Sequence, residues 1–227
     1  MTAARSPARP TPRADAHTPA RPVRAVRESR QRILAAIREA AIEEFSLHGL
    51  KGTSTQAIAE RAGLTKPQLH YYITGKEELY SELLDSVMKA WKIEFAPPGL
   101  TEPADILAHY IRQKLDHAFD QPTVSRIFTR EILDGGHNLD RYWPNARIWI
   151  QKEVAIINGW IARGLMRPMN AHLLLMHIWA MTQHHADFAL QVREICGSER
   201  DPAPLDRETV AHDLVPFVLR GCGLMRD

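Results

Sequence analysis

The chain has 227 residues, 44% apolar and 25% charged, values that fit a globular protein of one large domain or two small ones. No apolar run exceeds six residues even with Pro counted, so no segment can span a bilayer, and the Arg- and Pro-rich N-terminus lacks the apolar stretch of a secretory signal. Two cysteines, Cys196 and Cys222, cannot build a disulfide framework and neither belongs to a CxxC pair, so the expected location is the cytoplasm.

The formal net charge of +2 hides a split. Residues 1–32 hold eight of the 29 Lys and Arg against Asp15 and Glu28, whereas the remainder is net acidic. Five of the 15 prolines precede Val23, the first large apolar residue after Met1. Such a stretch cannot bury enough surface to offset its ordering entropy, which predicts a disordered basic arm over 1–26. Its charge is either plain solvation or an attraction to phosphate, the second gaining weight if the next segment binds DNA.

From Arg27 the pattern turns helical. Ile33, Leu34, Ile37, Ala40, Ala41 and Phe45 form one stripe, and His48-Gly49 supplies a stop. Three capping-box spacings follow, Thr53-x-x-Gln56, Thr65-x-x-Gln68 and Thr74-x-x-Glu77, and predict helices at about 54–62, 66–72 and from near Gly75. Gly63, in Ala62-Gly63-Leu64, is free to take the left-handed conformation of a tight turn. Two short helices so joined, with Ile58, Leu64 and Leu69 to lock them, make a helix-turn-helix over 27–75, with Pro67 tolerated in a first turn. Its second helix presents Thr65, Lys66, Gln68, His70, Tyr71 and Tyr72, types that reach base edges or phosphates. Thr53 and Lys76, at adjoining helix starts, complete the expected double-stranded DNA contacts.

The run Thr53–Leu79, TSTQAIAERAGLTKPQLHYYITGKEEL, resembles the N-terminal signature of the tetracycline-repressor (TetR) family. His70 stands where many members have Tyr, and Ile73 replaces the usual Phe, so no operator sequence carries over from a relative. The resemblance implies a homodimer that places two recognition helices in successive major grooves of a near-palindromic operator, usually as a repressor.

Residues 76–227 read as helices at about 75–95, 103–119, 122–134, 141–163, 170–195 and 206–220, with no sustained period-2 alternation, so the expected fold class is all-α. All five tryptophans (91, 143, 149, 160 and 179) lie here, and most are expected in the core or an interface. Within 170–195 a polar band, Thr182-Gln183-His184-His185 and Asp187, interrupts a buried-looking helix and must line either a subunit interface or a ligand pocket. Trp179, Gln183 and Asp187 recur at i, i+4, i+8 and share a face that suits a small planar polar molecule. Alternatively, Gln183 and Asp187 satisfy each other or a dimer partner. Adjacent His184 and His185 diverge on a helix, so no metal or other cofactor is expected.

Met176–Val192 (MHIWAMTQHHADFALQV), Pro122–Leu133 (PTVSRIFTREIL) and Trp91 resemble a pyrimidine-responsive branch of the same family, extending the resemblance over about 30–222. That resemblance implies an effector such as uracil, with Trp91 and Trp179 walling the pocket and Gln183 and Asp187 hydrogen-bonding the base. His185 and the loop 135–143 depart from the branch, which leaves room for another heterocycle. A lipophilic drug or acyl effector is the alternative, though it would leave Gln183 and Asp187 unpaired. No HExxH, GxSxG, P-loop or GxGxxG occurs, so no catalytic residue is assigned, and neither cysteine has a clearly basic neighbourhood.

Overall fold

A computed structural model describes residues 21–197 and 205–225. The arm expected over 1–26 lies outside them as far as residue 20, while the first helix already begins at Arg21. The described residues form ten α-helices and one 3-10 turn, with no strand among them.

Helices α1 (Arg21–Gly52), α2 (Thr55–Arg61) and α3 (Lys66–Tyr72) build the N-terminal unit. Ile37, Ala40, Ala41 and Phe45 of the predicted stripe are buried with Ile58 and Leu69, while Leu34 stays largely exposed. Each such fully buried large aliphatic or aromatic side chain contributes about 1.5–3 kcal/mol relative to exposure. The stop predicted at His48-Gly49 is present: Gly49 takes φ 66° and ψ −179°, which breaks α1 before a last short turn to Gly52. Gly63 takes φ 69° between α2 and α3, the left-handed turn its sequence context requires. Arg61 donates to the buried Glu44 at 2.7 Å and ties α2 to α1.

Only one of the three capping boxes forms as such. Thr65 accepts from the Gln68 amide while Gln68 accepts from the Thr65 amide, closing the box at α3. At α2 the cap is Ser54, which accepts from the Ala57 amide. At α4 (Lys76–Ala90) the N-cap is Gly75, without a side-chain bond.

Beyond α4 follow α5 (Pro103–Asp120), α6 (Pro122–Leu133), the 3-10 turn (His137–Leu139), α7 (Trp143–Ala162), α8 (Ala171–Asp187), α9 (Ala189–Cys196) and α10 (Arg207–Gly221). Helix α5 packs between α8 and α10 around a core that includes Tyr110, Leu115, Ile157, Trp160 and Ile178. The single helix expected over 170–195 breaks at Phe188 (φ −113°, ψ 29°) without Gly or Pro. There the Asp187 carboxylate accepts from Ser125 Oγ at 2.7 Å and Thr129 Oγ1 at 2.6 Å, pinning the end of α8 to α6. Likewise α4 ends at Ala90, where Trp91 turns its ring onto Phe128 at 4.6 Å between centroids.

Two helices cross from one unit to the other. Leu79, Tyr80, Leu83 and Leu84 of α4 sit in the N-terminal core, and Met88 and Trp91 beyond them face a cavity in the C-terminal unit. Helix α6 packs against both α1 and α8. Its Arg130 donates to the Leu47 carbonyl at 2.9 Å, and Tyr80 donates to the buried Glu131 at 2.9 Å.

Candidate DNA-reading face and effector cavity

The face of α3 is open. Thr65, Lys66, Gln68, His70 and Tyr71 are all exposed, Tyr71 to 74%. Lys66, His70 and Tyr71 carry their polar groups outward without a hydrogen-bond partner among the described contacts, whereas Thr65 and Gln68 are partly engaged in the cap. Gln68 Oε1 is held by Thr65, leaving its amide nitrogen as the outward donor. Tyr72 is half-buried against the N-terminal core and lies edge-on to Tyr71, with the Arg30 guanidinium 5.9 Å from its ring centroid.

Two of the expected DNA contacts point elsewhere. Thr53 is 2% exposed, and its hydroxyl is within hydrogen-bond distance of the carbonyls of Gly49 at 2.8 Å and Glu44 at 3.1 Å. The Gly49 carbonyl also accepts from the Thr53 amide at 3.2 Å, so Thr53 is fixed to the end of α1 by both its main chain and its side chain. Lys76 does related work: its ammonium donates to the carbonyls of Leu50 at 2.9 Å and Thr53 at 2.7 Å, closing the end of α1 instead of standing free for a phosphate.

The C-terminal unit encloses a cavity of about 480 Å³ lined by α4, α5, α6, α7 and α8. Trp91, Trp179 and Gln183 line it as their spacing and resemblance implied. Trp143 and Trp149 line it too, so four of the five tryptophans face this space and only Trp160 is a plain core residue. Asp187 is not among the residues lining this cavity: Ser125 and Thr129 hold its carboxylate, and it borders an adjoining pocket that shares Phe128, Ile132 and Gln183 with the cavity. Gln183 and Asp187 therefore do not satisfy each other. His185 stacks on Phe119 outside the cavity lining, and its buried Nδ1 has no hydrogen-bond partner among the described residues.

Lys114 and Glu153 are cavity residues that sequence reading missed. The Lys114 ammonium lies 5.5 Å from the Tyr110 ring, 5.7 Å from Trp179 and 6.0 Å from Trp91, a three-sided aromatic cage. Burial pushes it down to about 8, with the charge of Glu153 opposing the shift. Burial likewise pushes the Glu153 carboxyl up to about 7, opposed by Lys114 and by the Tyr110 hydroxyl. Trp179 Nε1 donates to that hydroxyl at 2.8 Å, fixing the indole against the cage. The cavity thus joins flat aromatic walls to one cation, one carboxylate and one amide. Mid-helix Lys114 and Glu153 read in sequence as solvated charges, and only the convergence of α5 and α7 on Trp179 sets them inside.

A helix-turn-helix with an open reading helix, joined through a shared helix to an all-helical unit with an aromatic cavity, defines a class of DNA-binding regulator. Residues 37–83 match the family described as bacterial regulatory proteins, tetR family, and residues 82–225 match the YcdC-like protein, C-terminal region. The chain belongs to the TetR family of transcriptional regulators. It is similar to the HTH-type transcriptional regulator RutR of Escherichia coli (strain K12), 37% identical over 171 residues, which span 72% of this chain and 78% of RutR. Among solved structures its fold matches the ketosteroid transcriptional regulator KstR2 of Mycobacterium tuberculosis with a TM-score of 0.65 and 20% identity, covering 85% of this chain and 94% of that one. AibR in complex with isovaleryl coenzyme A and operator DNA matches with a TM-score of 0.64 and 19% identity, covering 82% and 97%.

Proposed function

We propose that the protein binds an operator as a homodimer and is released from it by a small planar heterocycle, uracil or a related pyrimidine. The observation that carries this reading is the cavity itself: Trp91 and Trp179 supply aromatic walls, and Gln183 offers a donor and an acceptor side by side. Similarity to RutR over most of the chain supports the same reading. A purely lipophilic effector would desolvate Lys114, Glu153 and Gln183 without giving them partners, which costs binding free energy.

Support for the dimer comes from α8 and α10. They leave Leu173, Met176 and Phe217 more than half exposed, and Leu173 and Phe217 line one groove between the two helices. A second copy would cover these side chains as a four-helix interface, setting the separation of the two reading helices. The ligand acts through α4, which carries Trp91 at one end and the core of the DNA-binding unit at the other.

Titration calorimetry with uracil, with thymine and a purine as controls, tests the effector. The expected result is selective binding at one molecule per subunit, lost in Gln183→Ala. No heat with uracil or thymine would overturn the pyrimidine reading while leaving the TetR-type regulator in place.

A further inference from the structure

The aromatic walls of the cavity explain why a flat ligand would enter, but not how it would be told from other flat molecules. Lys114 on α5 and Glu153 on α7 both line the cavity, and each feels the other's charge. Yet no hydrogen bond joins them among the described contacts. Instead the ammonium is held by the faces of Trp91, Tyr110 and Trp179; the Tyr110 hydroxyl acts on the Glu153 carboxyl, whose buried Oε2 nonetheless has no hydrogen bond of ordinary geometry among the described residues. Of the other ionisable residues of the lining, Arg147 and His172 are exposed, while the buried Tyr110 hydroxyl sits with the pair and acts on Glu153.

We infer that Lys114 and Glu153 are a separated donor–acceptor pair which the effector closes, so that the cavity selects cyclic amides and imides. The ring carbonyl would accept from the Lys114 ammonium, and the ring N–H would donate to Glu153 Oε2, while the ring body lies among the tryptophans. Gln183 then reads the remaining edge. Only a ligand that carries an acceptor and a donor on one flat frame completes both residues at once. An aromatic hydrocarbon fills the walls and leaves both charges desolvated and unpaired. Because Lys114 is already desolvated and caged before the ligand arrives, its orientation costs little on binding.

This inference rests on the heterocycle reading above but has its own failure. Tryptophan fluorescence of the full chain, with Trp91 and Trp179 as reporters, follows binding of uracil, glutarimide and 1,3-dimethyluracil. The dimethyl compound keeps the ring and both carbonyls and lacks every N–H. The expected result is that dimethylation weakens binding at least tenfold, and that this penalty shrinks in Glu153→Leu, which removes the acceptor and whose own uracil affinity is reduced. Lys114→Met should lose affinity for all three compounds. Equal binding of uracil and 1,3-dimethyluracil to the wild type would overturn the pair as the selecting device while sparing the pyrimidine reading, and needs no variant to fold. Binding of glutarimide but not uracil, with the same dependence on Glu153, would sink the pyrimidine reading and keep the inference. Binding of none of the three would overturn it.

Discussion

At the scale of single residues, two groups are held against their preference. Burial raises the Glu153 carboxyl from 4.5 to about 7 and lowers the Lys114 ammonium from 10.5 to about 8. A raised carboxyl means the folded chain keeps a proton the unfolded chain has lost, so stability falls as pH rises from 4.5 to about 7. A lowered ammonium means the unfolded chain holds the extra proton from about 8 to 10.5, so stability is regained there. These two groups therefore place a stability minimum between about 7 and 8. The double substitution Lys114→Met with Glu153→Gln should remove it, stabilising the chain by about 1–4 kcal/mol in that window, as thermal melts across pH would read. A wild-type melting profile flat over that range would contradict these shifts. On the DNA side, Lys66→Ala should weaken operator binding uniformly across sequences and reduce the salt slope by about 1, whereas His70→Ala should relax preference at one base position. Thr53→Ala should lower stability by about 1 kcal/mol through the lost hydrogen bond to the end of α1 and leave the salt slope alone.

At the scale of elements, α6 is the part whose importance was least legible in the sequence. Its residues face three ways: Phe128 toward Trp91 and the cavity, Arg130 and Glu131 toward α1 and α4, and Ser125 and Thr129 toward the end of α8. Tyr80→Phe deletes one buried bond between α4 and α6 without changing shape. It should cost about 1 kcal/mol of stability and 0.5–2 kcal/mol of the coupling between effector and operator, with effector affinity of the free protein unchanged. Phe217→Glu puts a charge on the apolar face of α10 and should shift the chain to monomers by analytical ultracentrifugation; a dimer of undiminished stability would remove α10 from the interface. Local signals were readable where one stretch of chain decides the outcome, as with Gly63 in the turn and the Thr65–Gln68 box. They misled where a neighbouring helix decides. Ser54 rather than Thr53 caps α2, the Thr53 hydroxyl being turned to the carbonyls of Gly49 and Glu44, and the Asp187 carboxylate is taken up by the two hydroxyls of α6. Trp179 and Gln183 were singled out by their spacing on one helix face and Trp91 by the family resemblance, and all three line the cavity. Lys114, Glu153 and Tyr110 gave no signal, since five helices must assemble before those positions share a space.

At the scale of the whole molecule, the chain joins a reading head to a sensing chamber through α4 and α6, which are packed into both. A small displacement of Trp91 or Phe128 by a ligand cannot be absorbed locally, because Tyr80, Glu131, Arg130 and Leu47 tie the same helices to the DNA-binding unit. In the proposed dimer, such an arrangement would turn occupancy of about 480 Å³ into a change in the spacing of two reading helices. Coupling free energy is reciprocal: if the effector weakens operator binding, the operator must weaken effector binding by the same factor. The measurement that tests this most directly is the uracil affinity of the full chain, free and saturated with a DNA site selected by the protein from genomic fragments. The account predicts that DNA-bound protein binds uracil about 5- to 150-fold more weakly than free protein. Equal affinities in the two states would contradict it, since a ligand indifferent to the DNA-bound conformation cannot release the protein from its operator.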